Sequence, residues 1–405
     1  MSRPAATLGC LLVLLVCAGA TAVSSSGAVV SCDRVVGAGG SVQQLMDSLA
    51  PGQTGCLREG SYDEAVRVNH PGAPGAPITL ASYPGEHATI NGRFYIPSGS
   101  DHITLTDLHL NGANPQTLPS PQINADNITL TANDITNNHN GICIVIGSRQ
   151  WGHATNTTID HNTIHDCGRL PATNHDHGIY VEDATNTLIT QNLIHDNADR
   201  GINLYYNADH TLITHNTIDH NGEGILFAGD DQTASSNNTA SDNIITNSQI
   251  RSDVESSWQP GHTGTNNTLT NNCIHGGKTT IDTGSGGYTA TNNTITDPQY
   301  TNTTTYTTNP TSPCQTKGAT DFAEPRPEDQ PLVLLPAVAV PAQPAAAEPK
   351  ARTSSRHTAA QRRAARHRLH VRRLRHARWV AYMRRHHHQR RIGVMRPNRL
   401  VFFGL

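Results

Sequence analysis

Asn186-Thr187-Leu188-Ile189-Thr190-Gln191-Asn192-Leu193-Ile194-His195-Asp196-Asn197, followed shortly by Gly201-Ile202-Asn203-Leu204, is one copy of a unit that this chain repeats. An Asn followed two residues later by Ile stands at Asn133/Ile135, Asn162/Ile164, Asn192/Ile194, Asn216/Ile218, Asn243/Ile245, Asn272/Ile274 and Asn293/Ile295. The asparagines lie 29, 30, 24, 27, 29 and 21 residues apart. Such a period, stretched irregularly upward, is that of a solenoid built from short strand-rich coils with loops inserted at their corners. Before the Asn the chain alternates as a half-buried strand does, in Asn127-Ile128-Thr129-Leu130, Asn156-Thr157-Thr158-Ile159 and His210-Thr211-Leu212-Ile213. After it, four coils add a Gly and a second alternating strand, in Gly141-Ile142-Cys143-Ile144, Gly178-Ile179-Tyr180-Val181, Gly201-Ile202-Asn203-Leu204 and Gly224-Ile225-Leu226-Phe227. Gly is expected to give a sharp corner its backbone freedom, and β-branched Ile to fill a narrow core. The repeated Asn reads as an inward hydrogen-bonding ladder. No helical period spans the copies, which argues against leucine-rich or ankyrin-type arrays.

This pattern resembles the right-handed parallel β-helix repeat, the architecture of pectate lyases, mannuronan epimerases and many secreted bacterial proteins. The resemblance runs from about residue 77 to 298, with Ile78, Ile90, Ile103, Leu105, Leu108 and Leu110 marking degenerate first coils. It implies an all-β, right-handed parallel β-helix solenoid, and among functions the binding or processing of polysaccharide by a lyase, C5-epimerase or glycosidase route. Calcium is the cation such a resemblance brings with it, and the sequence assigns it no ligands. A fold alone does not choose among these activities.

The ends of the chain are read separately. Residues 1–22 carry Arg3, an apolar run and the small residues Ala18, Ala20 and Ala22, a secretory signal too short to span a bilayer. The chain is therefore expected to be secreted or held at the cell surface. Residues 23–76 are assigned to an N-terminal cap and entry, with Val42, Leu45, Met46 and Leu49 at helical spacing behind Ser41. Residues 77–318 form the β-helix, 319–349 a Pro/Ala-rich linker and 350–405 a disordered Arg/His-rich tail. That tail holds 17 Lys and Arg and no Asp or Glu, whereas the rest holds 12 basic and 32 acidic residues. It would bind a polyanion such as an anionic cell-wall polymer. No transmembrane span is expected, and a capped solenoid is expected to be a monomer. Six cysteines remain after the signal, and sequence neighbours are paired: Cys32 with Cys56, Cys143 with Cys167, Cys273 with Cys314.

Surplus residues mark where chemistry is expected, since inserted loops on a rigid scaffold carry function. The coil from Asn162 to Gly178 spends 16 residues where three others spend 8 or 9. Further insertions fall at 147–153 and 229–236. Alternation turns Tyr180, Glu182, Asn203, Tyr205 and Cys143 outward. His175, Asp176 and His177 break the repeat, and with Arg200 and Tyr205 they form the catalytic candidates. His177 or His175 would be the acid or base, Tyr205 a proton donor, and Arg200 with Arg149 or Arg169 would neutralise substrate carboxylates. Arg149, Trp151, Arg169, Tyr180, Glu182, Asn203, Tyr206 and Glu223 are the substrate-binding candidates, aromatic faces for sugar rings and polar groups for hydroxyls. Glu182, Asp199 and Glu223 also offer carboxylates for a glycosidase. The His165-Asp166 and His195-Asp196 steps recur with the repeat and read as turn chemistry. From a different class, the same chain reads as a non-catalytic adhesive or structural solenoid anchored by its basic tail.

Overall fold

The computed structural model describes residues 31–323. The signal segment, the linker beyond 323 and the basic tail lie outside the described residues. Among these, three parallel sheets run along one solenoid. Sheet A has eleven strands, from Arg34–Val36 to Tyr288–Thr291, sheet B ten, from Gly60–Asp63 to Thr294–Ile295, and sheet C nine, including Val66–Arg67 and Val254–Ser257. A representative turn visits Ile128–Thr131 in A, Asp134–Thr136 in B and Ile144–Ile146 in C. The solenoid starts before residue 77, because Thr54–Leu57 already pairs with Ile78–Ser82 and Gly60–Asp63 with Ala88–Asn91.

Register places like on like. In sheet B Ile90, Leu110, Ile135, Ile164, Ile194, Ile218, Ile245 and Ile274 form one inward column. In sheet C Ile144, Ile179, Ile202, Ile225 and Val254 form another. All are fully buried, and burying such a side chain contributes about 1.5–3 kcal/mol. One turn alone could not cover its own column, which is why the repeat folds only as a stack.

The Asn ladder is realised at the A-to-B corner. The side-chain Nδ2 of Asn133 donates to Asn162 Oδ1 at 3.0 Å, and the same step recurs from Asn162 to Asn192, Asn192 to Asn216, Asn216 to Asn243, Asn243 to Asn272 and Asn272 to Asn293. Each Oδ1 also accepts the backbone N–H of the preceding Asn, and each Nδ2 reaches a strand carbonyl. A second ladder joins Cys167 N–H to Asn197 and Asn197 to Asn221.

Two local expectations change. The left-handed corner residue is the one before each ladder Asn, at φ of 54° to 60°: Ala132, His161, Gln191, His215, Asp242, Asn271 and Asn292. Short polar residues tolerate that conformation best. Gly201 and Gly224 do not use positive φ; they are small because coils approach closely there, and a Cβ on Gly224 would lie 2.2 Å from Asp253 O. Cys143 was expected to face out, yet both it and Cys167 are fully buried in the main apolar cluster.

The three disulfides are Cys32–Cys56, Cys143–Cys167 and Cys273–Cys314. A helix, Val42–Ser48, begins at Ser41, whose side chain accepts Gln44 N–H at 3.1 Å. Its Leu45, with Leu49 just beyond its end, lies over Gly55 of the first coil. At the other end the chain turns back along sheet B. Gly318 N–H bonds Asp242 O, Ala319 N–H bonds Thr217 Oγ1, Thr320 N–H bonds Gln191 Oε1 and Ala323 N–H bonds His161 O. Residues 319–323, assigned above to the linker, thus form a strap crossing successive coils.

Candidate functional site

Sheet C positions the site. Tyr180, Asn203, Leu226 and Glu255 occupy one register row on successive coils, flanked inward by the Ile column. The inserted loops rise at both ends of this face. Arg149 of the 147–153 loop donates to Asp230 Oδ2 and Thr233 Oγ1 of the 229–236 loop, each at 2.8 Å, so the two insertions close into one wall. The Arg149 guanidinium also lies 3.7 Å from the Tyr206 ring centroid, and its backbone N–H donates to Tyr206 Oη at 2.9 Å. Trp151, at the tip of that wall, is 57% exposed.

The opposite wall is the 168–177 loop. Asp199, nearly buried beneath it, accepts the backbone N–H groups of Asn174, His175 and Asp176 at 2.8, 2.8 and 2.9 Å. Arg169 Nε donates to Asp176 Oδ2 at 2.6 Å, and Thr173 Oγ1 donates to the same oxygen at 2.9 Å. One carboxylate thus fixes the loop tip to the sheet, and a second fixes its base. The loop in turn holds Arg200, whose Nη2 donates to Asn174 Oδ1 at 2.8 Å.

Between the walls the sequence candidates separate into groups. His177, Arg200 and Glu223 are stacked on three consecutive coils where sheet C begins. His177 is buried with its ring edge against Tyr180, and burial together with the Arg200 charge holds its imidazole well below the usual histidine pKa. Its Nδ1 has no hydrogen-bond partner. His175 is exposed on the loop. Tyr180 and Tyr205 are half-buried and nearly parallel, 6.3 Å between centroids and 17° between planes. Tyr205 and Tyr206 together oppose Glu182, because the register slips between Val181 and Asp183. That slip sends the Tyr206 hydroxyl to Glu182 Oε1, at 3.1 Å, where Ser148 Oγ also donates. Burial pushes the Glu182 carboxyl up to about 7 against those two bonds.

Glu223 is 1% exposed, and neither of its oxygens has a hydrogen-bond partner. Arg200 Nε stands 2.9 Å from Oε2 without the alignment of a hydrogen bond, and Arg251 Nη1 is 3.8 Å from the same oxygen. Burial raises the Glu223 carboxyl to about 7; Arg200 pulls it down and Glu255 pushes it further up. Glu255, on the next coil, lies 3.8 Å from Arg251 Nη1 as well, so two carboxyls share one guanidinium. Ala172, Asn174, Asp199, Arg200, Glu223 and Arg251 line a small pocket of about 70 Å³, partly open to solvent. Asn203 Oδ1 is a further buried acceptor without a partner. Arg251 and Glu255 escaped the sequence reading because Asp253 replaces the Gly that opens the sheet C strand on the three preceding coils, Gly178, Gly201 and Gly224. The alternation of Val254, Glu255 and Ser256 was the available signal.

Other features stay apart from this face. His165 bridges Asp134 and Asp166 at 2.9 Å each. Burial opposes its protonation, but the two carboxylates outweigh burial and push its pKa up to about 10. Among the described residues no group of three or more His, Cys, Asp or Glu side chains stands as a candidate metal site.

Glu182 provides a stability test. Its folded pKa is raised, so its contribution is present at low pH and is lost as pH rises through about 7. Between pH 5 and pH 8 that loss is about 2–3 kcal/mol. Glu182→Gln is expected to abolish this slope, so that urea unfolding favours the variant progressively as pH rises. Parallel curves for the two proteins would rule out a buried titrating carboxyl.

The sequence matches the family model described as a right handed beta helix region over residues 122–299. No curated protein matches it. Among solved structures, a pectate lyase is similar, at 13% identity over 74% of this chain and 91% of its own, with a TM-score of 0.52. An alginate lyase from Paenibacillus sp. str. FPU-7 is 14% identical over 65% of this chain and 99% of its own, with a TM-score of 0.44. At such identity the likeness to the pectate lyase is one of fold, and it agrees with the three stacked sheets: the chain is a right-handed parallel β-helix protein.

Proposed function

We propose that this is an exported protein that binds a polysaccharide chain across sheet C and cleaves it by hydrolysis at the Glu223 pocket. The observation that carries the reading is Glu223 itself: a buried carboxyl, raised to about 7, with neither oxygen in an aligned hydrogen bond and one side on a pocket partly open to solvent. A carboxyl raised to about 7 keeps its proton up to near-neutral pH and is a proton donor, and a glycosidic oxygen is what such a donor protonates. Glu255, held by the shared Arg251, is the second carboxyl, acting as base on water or as nucleophile at the anomeric carbon. The parallel Tyr180 and Tyr205 rings support stacking of sugar units beside it. Three disulfides fit an oxidising compartment, and no helix among the described residues is long and apolar enough to cross a membrane.

Hydrolysis is favoured over elimination because the arginines around this pocket and its walls already stand against carboxylates, whereas a lyase needs a cationic group to spare beside the scissile bond for the substrate acid. The test is incubation of the whole protein with a panel of polysaccharides, following reducing ends and unsaturated-product absorbance together. Reducing ends without absorbance are expected. Absorbance rising in step with them would replace hydrolysis by elimination.

A further inference from the structure

We infer that sheet C holds a second binding site, at Arg67, Tyr95 and Arg93, for an oxyanion carried by the glycan, and that the polymer therefore has acidic units set apart by neutral stretches; the inference rests on the polysaccharide reading above. Tyr95 points outward between the buried Phe94 and Ile96, and Arg67 does so between the buried Val66 and Val68. Register sets Arg67 beside Tyr95, and the guanidiniums of Arg67 and Arg93 lie 4.9 and 4.5 Å from the centroid of that one ring. Arg93 donates to Gln122 Oε1 and, at 3.4 Å, to Pro119 O; these neutral acceptors orient its charge without compensating it. Residues 31–323 contain 10 Lys and Arg against 28 Asp and Glu. Arg58, Arg149, Arg169, Arg200, Arg251 and Lys317 each meet a carboxyl group there, whereas Arg67 and Arg93 meet none. Burial lowers the Arg93 pKa and the nearby Arg67 charge lowers it further, against the opposing effect of Tyr95. Two like charges over one ring, one of them half-buried, are relieved by an anion from outside, and the guanidinium fork matches a carboxylate or a sulfate.

The distance from this site to the Glu223 pocket sets the spacing of charge on the polymer. Tyr95, Gln122, Val145, Tyr180, Asn203 and Leu226 form one register row across successive strands of sheet C. Strands about 4.8 Å apart put Tyr180, three steps on, about 14 Å from Tyr95, and the Glu223 strand, five steps on, about 24 Å away. A glycan laid along the row has an acid over Tyr95, a unit stacked at Tyr180 and Tyr205, and the bond to be cut beyond them. Near that bond no cation is to spare. Arg149, Arg169 and Arg251 lie against Asp230, Asp176 and Glu255, and Arg200 is almost fully buried and held by Asn174. The units flanking the cut bond are therefore neutral while the unit over Tyr95 is charged, and a homopolymer of either kind satisfies only one of the two places.

The experiment titrates the whole protein with oligosaccharides of equal length from a β-glucan, a galactan and a mannan, each neutral, sparsely carboxylated or sparsely sulfated, and with a homopolymeric uronate. Thermal stabilisation gives each affinity. On one backbone a substituted form is expected to bind about tenfold more tightly than its neutral parent and than the uronate, with the advantage shrinking as salt rises. Whichever of carboxylate and sulfate gains more identifies the anion. Arg67→Gln combined with Arg93→Gln should remove the advantage and leave the affinity for the neutral parent unchanged; should that pair fail to fold, Arg67→Gln alone, at an exposed position, should remove most of it. Arg34→Gln, on sheet A, should leave it intact. Equal affinity for neutral and substituted chains would overturn the inference, as would an advantage that survives in the double variant. Tightest binding by the homopolymeric uronate would overturn it too, while leaving polysaccharide binding standing. Absence of stabilisation by every chain, with no reducing ends from any polymer, would defeat this inference and the proposed function together.

Discussion

Glu223→Gln is expected to lower turnover by about 10²–10⁴-fold, the range that a positioned general acid supplies. The substitution keeps the side chain's shape and removes its proton. The variant should still be stabilised by the oligosaccharide that the parent binds, because the Tyr180 and Tyr205 platform is untouched. The parent's pH profile provides a second reading of the same group. A donor raised to about 7 is protonated below that pH, so activity should fall as pH rises through about 7. In the Gln variant that descending limb should be absent from whatever activity remains. Retention of more than a tenth of parental activity, with the limb still present, would remove Glu223 from the chemistry.

The largest effect on stability is expected at the centre of the Asn ladder. Asn192 Oδ1 accepts the backbone N–H of Asn162 at 2.9 Å, while its Nδ2 donates to Ile159 O and Thr190 O at 2.8 Å and to Asn216 Oδ1 at 2.9 Å. Asn192→Ala leaves the Asn162 N–H and the Ile159 carbonyl buried without these partners. At about 1–3 kcal/mol for each orphaned group, the loss is about 2–6 kcal/mol. Thr190→Ala, two residues away on the outer face of sheet A, should change stability by no more than about 0.5 kcal/mol. Urea denaturation of the three proteins decides the matter. A loss at Asn192 no larger than that at Thr190 would mean that water or a relaxed backbone replaces the ladder.

The fold was legible because every coil solves the same problem with the same residues. An Asn that must bond both its neighbours and an Ile that must fill the same column recur in sequence wherever they recur in space. The disulfides followed from the same economy, each joining nearby turns. The loops were legible only as surplus length. Nothing in Arg149 or Asp230 as letters says that they meet across two insertions, because that pairing depends on how far each loop folds over sheet C. The Tyr205 and Tyr206 slip was hidden for a related reason: strict alternation has no place for an extra residue, so it could not foresee Tyr206 reaching Glu182. Glu223 was visible as a substrate-binding candidate, but its change of character comes from burial, which belongs to the assembled coils. His177 shows the converse. It broke the repeat, and the structure seats it under Tyr180 rather than at the open pocket mouth.

Each amide of the Asn ladder donates toward one end of the solenoid and accepts from the other, so every rung presents the same two faces to whatever lies above and below it. Such a part carries no information about how many copies precede it. Duplication or loss of one complete turn would leave every remaining rung with a correct partner, whereas a residue gained within a sheet strand has to be absorbed locally, as the one at Tyr205 and Tyr206 is. Length is therefore a freely variable quantity in this architecture, and loops can lengthen at the corners without the stack registering the change.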